Sequence, residues 1–150
     1  MTLRSISFLA LLSLASSSIA ESGDFPTEVR GLDDAKPSKI EGSVFWNYFE
    51  GSSYGTKDTL TGVAEIEAGY EIHPPHRHAE EEFLMVIEGG GEWHINGKTF
   101  AAKTGDILYA APWDLHGIFN TGDTPLKFVV FKWNSKGVPV PVDPELDDKH

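Results

Sequence analysis

The sequence predicts an all-β domain of antiparallel strands, arranged as a sandwich or a barrel. Three observations carry that expectation. Short apolar or alternating segments recur between residues 40 and 133, about eight of them, which is the spacing of small all-β domains. Clusters of Gly, Asn, Asp and Thr separate them. After residue 20, no stretch combines a 3.6-residue apolar period with helix caps.

Taken in order, the expected strands are 44–49, 61–68, 82–88, 92–95, 98–101, 107–111, 117–119 and 126–133. Residues 51–55, Gly89-Gly90-Gly91, Thr104-Gly105-Asp106 and Thr121-Gly122-Asp123 supply turns between them. Asn96-Gly97, between Trp93-His94-Ile95 and Lys98-Thr99-Phe100, is a strong hairpin signal and predicts a type I′ turn. The strand at 82–88 has Leu84 and Val86 on one face and Phe83, Met85 and Ile87 on the other. Apolar on both faces, it is expected between two layers. Phe83, Met85, Phe100, Phe119, Phe128 and Phe131 are expected in the core.

The flanks differ in character. Residues 1–20 join a positive start at Arg4 to an apolar run at 6–14 and small residues at Ser18 and Ala20, which predicts a signal peptide. Export to the periplasm or the extracellular space follows. The run is too short to span a bilayer, and no cysteine follows it to carry a lipid, so no stable membrane anchor is expected. Residues 21–39 read as an N-terminal arm or linker, 40–133 as the domain, and 134–150 as an extended C-terminal tail. The length of 150 residues suits one domain.

The formal charge is −11, and −12 once residues 1–20, with Arg4 and no acid, are removed. Such a surface repels phosphate backbones and anionic membranes, so nucleic acid is not an expected partner. With no cysteine in the chain, a metal site must use nitrogen and oxygen donors.

The chemistry-bearing residues crowd one stretch, Pro74-Pro75-His76-Arg77-His78-Ala79-Glu80-Glu81-Glu82. On an extended chain His76 and His78 point to one face, and Glu82 has the parity to join them. Two imidazoles and a carboxylate at the rim of an interior need a partner that offsets desolvation, and a divalent cation is one. His116 supplies a third imidazole at the start of a later strand, with Asn120 at its end. His73 reads as a loop histidine and His94 as facing outward from a sheet. Tyr109, Trp113 and Asn120 are candidates for the pocket.

These residues resemble the small single-domain cupins, whose motifs run G-X5-HXH-X3,4-E-X6-G and G-X5-PXG-X2-H-X3-N. Gly69, His76, His78, Glu82 and Gly89 follow the first, with one extra residue between Gly69 and His76. Gly105, His116 and Asn120 follow the second, with Ala111 in place of its Pro and Trp113 in place of its Gly. The resemblance covers roughly residues 40–133 and implies a jelly-roll β-barrel. It implies that His76, His78, Glu82 and His116 hold one divalent transition metal: Fe, Mn, Ni, Co, Cu or Zn. Glu80 or Glu81 could replace Glu82, but the spacing to Gly89 and the strand parity favour Glu82, leaving the other two to water or to a ring N–H.

The implied function is a metalloenzyme acting on a small oxygen-donor substrate, by dioxygenase, decarboxylase, isomerase or lyase chemistry. Glu82 would double as a catalytic base. The alternative is a protein that binds a small molecule or metal without turnover. Homodimer formation is also implied. A second polar group at the metal would favour catalysis, and Glu65, Glu67, Glu71, His94 and Tyr109 are the residues that could supply one.

Overall fold

The computed structural model describes residues 24–147, so the expected signal peptide lies outside the described residues. Nine strands form: β1 (Lys36–Ile40), β2 (Ser43–Gly51), β3 (Thr56–Ile66), β4 (Glu81–Glu88), β5 (Gly90–Ile95), β6 (Lys98–Lys103), β7 (Ile107–Ala110), β8 (His116–Phe119) and β9 (Leu126–Ser135). A 3-10 turn at Leu32–Asp34 and a short helix α1 (Pro144–Asp147) complete the described chain. Each of the eight expected strands is present, within a few residues at its ends.

All strand pairs are antiparallel, in a six-stranded sheet ordered β1-β2-β3-β9-β4-β7 and a three-stranded sheet ordered β6-β5-β8. The jelly roll is therefore an open sandwich of two sheets, not one closed barrel. Inward side chains alternate along each strand, and Ala64, Ile66, Leu84, Val86, Trp93, Ile118, Leu126, Phe128 and Val130 close the core between the sheets. The Asn96-Gly97 hairpin holds φ values of 47° and 75°, the pair of positive angles that a type I′ turn requires.

Two expectations change. Strand β1 occupies part of the expected arm: its Lys-Pro-Ser-Lys-Ile carries no apolar alternation, and it is an exposed edge paired only to β2. The expected extended tail is tied back at two points, where Trp113 Nε1 donates to Pro141 O at 2.9 Å and Arg77 pairs with Glu145. The other change is in β4, which is not sandwiched. Phe83, Met85 and Ile87 lie on the outer face of the larger sheet, which no third layer covers among the described residues, and Phe131 and Phe100 are exposed too. Of the six residues expected in the core, only Phe128 is fully buried; Phe119 is half-buried.

Candidate metal centre

The site is built across the two sheets. His76 lies before β4, in a loop that runs beside β8. Its backbone exchanges two 2.9 Å hydrogen bonds with His116, N–H to carbonyl in both directions. Residues paired in this way project their side chains to the same side. Gly117 permits the approach: a Cβ there would come within 3.0 Å of Pro75 Cα. His78 follows in the same loop, held by the 2.8 Å bond from Trp113 N to His78 O. Glu82 comes from the other sheet, as the second residue of β4. Strand parity therefore does not align His76, His78 and Glu82 as the sequence suggested, because β4 begins only at Glu81; the loop's pairing with β8 brings them together.

One donor atom from each of His76, His78, Glu82 and His116 lies within 4.8 Å of the others. Glu82 is 6% exposed and His116 is 2% exposed, so the cluster is largely shielded from water. Glu82 Oε2 lies 2.7 Å from His78 Nε2 and 2.8 Å from His116 Nε2. The other nitrogens face carbonyl oxygens, His78 Nδ1 at 3.2 Å from Glu80 O and His116 Nδ1 at 2.7 Å from Asp114 O. A carbonyl can only accept, so each Nδ1 carries a proton. In the neutral ring, Nε2 then presents a lone pair to a carboxylate oxygen, which is repulsive. Either each ring takes a second proton or a cation sits among these atoms.

The charges agree. Burial works against the Glu82 carboxylate, but the bonds from His116 and His78 outweigh it and hold its pKa down to about 2. Burial also works against protonated His116, but Glu82 and the Asp114 carbonyl outweigh it, and its pKa rises. His76 is lowered to about 4, first by burial and then by the neighbouring imidazoles. Its Nδ1 is buried without a hydrogen-bond partner. Three imidazoles and one ionised carboxylate, with an orphaned ring nitrogen among them, fit a divalent transition metal.

The donors open onto a cavity of about 260 Å³ whose walls include Ile40, Phe45, Leu60, Ile72, Phe128 and Val130. His73, an exposed loop residue, also lines it, with its ring centroid 4.2 Å from that of His76. Lys132 on β9 lines it as well. The sequence reading missed Lys132, although the inward row Leu126, Phe128, Val130 points to it.

The pocket candidates fall elsewhere. Tyr109 is on the outer face of β7, where its hydroxyl donates to Glu81 at 2.8 Å. Trp113 is turned to the C-terminal tail. Asn120 is buried beneath the next turn, its Nδ2 donating to Ile66 O and Thr124 O and its Oδ1 accepting from Gly122 N. None of the three lines the cavity, nor do Glu65, Glu67, Glu71 and His94. Glu81 thus faces away from the donors, while Glu80 stands beside His78, with Oε2 3.3 Å from Nδ1.

Fold and site together define a jelly-roll protein with a buried three-histidine, one-glutamate donor set. Residues 62–132 match the family described as "Cupin domain", so this part of the chain is a small cupin domain. Gentisate 1,2-dioxygenase from Streptomyces sp. is 30% identical over 100 residues, covering 66% of this chain but 26% of that enzyme. The oxalate-binding protein of Thermotoga maritima is 38% identical over 80 residues, or 49% of this chain and 66% of that protein. A solved Klebsiella pneumoniae protein with a double-stranded beta-helix domain superposes at a TM-score of 0.60 and 25% identity, over 75% of this chain and 95% of its own.

Proposed function

We propose that this chain is a mononuclear metal-dependent enzyme acting on a small oxygen-donor substrate, through dioxygenase, decarboxylase, isomerase or lyase chemistry. The observation that carries the reading is the pair of Nε2 atoms against Glu82 Oε2, where a cation satisfies what neutral imidazoles cannot. His76, His78, Glu82 and His116 are the ligands. The bound ion supplies Lewis acidity and, when redox-active, one-electron chemistry.

The chain's own groups do the rest. Asp114 O and Glu80 O fix the ring orientations of His116 and His78. The apolar walls exclude water and strengthen every charge interaction inside. Glu82 is ionised and, while both imidazoles hold it, a weak proton acceptor, so a role as base requires it to swing clear of them. Comparing Glu82→Gln with Glu82→Ala tests this: full activity with retained metal in both overturns it.

The metal assignment is tested by elemental analysis of the purified protein. Wild type should carry about one divalent ion per chain. Stoichiometric metal that persists in the His76→Ala/His116→Ala variant overturns the site.

A second reading, binding without turnover, is favoured by the likeness to the Thermotoga protein named for oxalate binding. Screens for O₂ uptake, CO₂ release and elimination on small carboxylates, run with each metal, separate the two; a tight ligand that is never turned over selects the second. Export and homodimer formation belong to the same proposal. Export rests on residues 1–20 and predicts a secreted form that begins near Glu21, read by mass spectrometry. Pairing rests on the outer face of the larger sheet, which is exposed among the described residues.

A further inference from the structure

The metal does not account for Lys132. Leu126, Phe128 and Val130 of β9 are buried and face the core, and Lys132 is the next residue in that inward row. Its register partners are Glu82 on β4 and Leu60 on β3, so its stem leaves the sheet beside the carboxylate of the donor cluster. Its side chain is 25% exposed, and its nearest carboxylate oxygen, Glu80 Oε1, lies 3.7 Å away, beyond hydrogen-bond length. Glu80 is itself engaged with His78. Lys132 is thus the one lysine or arginine on the cavity wall among the described residues, a wall it shares with Phe45, Leu60 and Ile72, and its ion pair is the long contact to Glu80.

A partly buried ammonium costs free energy that one long ion pair, to Glu80, offsets only in part, and a closer anion would complete it. The protein surface as a whole is acidic and repels anions, so a cation inside the cavity singles them out at that place. We propose that Lys132 reads the charge of the ligand, and that the cavity takes an organic carboxylate. The carboxylate lies beside Lys132 and Glu82, with its carbon body against Phe45, Leu60 and Ile72. This rests on the reading of the cavity as a metal-dependent small-molecule site and names the group that selects within it. The competing role for Lys132 is structural, as a counter-charge to Glu80 and Glu82.

Benzoate and benzamide, close in shape and different in charge, are the probes. Each is titrated calorimetrically into metal-loaded wild type, Lys132→Met and Lys132→Arg, with metal content and thermal midpoint measured on every sample. Benzoate should weaken by about tenfold or more in Lys132→Met and recover to within about threefold of wild type in Lys132→Arg. Benzamide should respond to neither change, or bind none of the three. Equal benzoate affinity in wild type and Lys132→Met overturns the proposal, as does failure of wild type to bind benzoate. Parallel loss of both probes assigns Lys132 the structural role and also overturns it. A wild type without metal defeats the metal reading alone; the same comparison on metal-free protein still decides what Lys132 does.

Discussion

His76 and His116 have ring centroids 4.9 Å apart and opposite demands on the proton. Burial leads in holding His76 down at about 4, so between pH 6.5 and 4 the unfolded chain binds a proton that the folded, metal-free chain refuses. Its contribution to stability is complete above pH 6.5 and is lost on acidification through that window. Glu82, lowered to about 2, adds a further loss as pH falls from 4.5 towards 2. For His116, burial is outweighed by Glu82 and the pKa is raised, so its contribution is full below pH 6.5 and lost as pH rises through the folded value. Metal-free protein should therefore be most stable near pH 6.5, as read from urea midpoints in the presence of a chelator. His76→Gln should flatten the limb between pH 6.5 and 4; an unchanged limb would show that the acid sensitivity lies elsewhere. The four clustered residues were legible in the sequence because HxH, Glu82 and His116 are chemically distinctive and keep the spacing of a known motif pair. Lys132 was not, since a lysine between Phe131 and Trp133 reads as ordinary alternation until β9 is paired with β4.

At the level of elements, the turn before β8 departs most from its family pattern. Trp113 occupies the glycine position of the motif and adopts φ 68°, a left-handed angle costly for any residue with a Cβ. Its N–H bond to His78 O and its indole bond to Pro141 O hold it there. Trp113→Ala keeps the strained angle and loses the indole, whereas Trp113→Gly loses the indole and relieves the strain. The glycine variant should be the more stable of the two by about 1 kcal/mol in urea unfolding. The reverse order would mean that the turn relaxes away from its left-handed angle once the indole is gone. Strands with strong local signals, such as the Asn96-Gly97 hairpin, were readable from sequence. Strand β1 was not: Lys36, Pro37 and Lys39 suit an edge protected from further pairing, and only β2 makes that segment a strand.

For the whole molecule, the outer face of the larger sheet presents Phe83, Met85, Ile107, Tyr109 and Phe131 to solvent. Phe83 packs on Tyr109 at 5.0 Å and on Trp133 at 5.9 Å, so the patch is one continuous surface across β4, β7 and β9. Contiguous apolar patches of this kind mark association sites. Under the homodimer reading, Phe131→Glu should shift the protein from dimer to monomer in sedimentation velocity while keeping its metal. A wild type that sediments as a monomer at high micromolar concentration would overturn it. By itself the sequence determined the strand-rich class, the hairpin register and which four residues cluster at the candidate site, because local turn chemistry, side-chain period and motif spacing are properties of neighbouring residues. The tertiary structure alone decided that the sheets stay separate, that Phe83, Met85 and Ile87 of β4 face outward, and that Glu82 from one sheet meets His116 from the other and His76 from the loop paired with it. Those outcomes depend on which strands pair and how many layers cover each face, contacts between residues far apart in the chain.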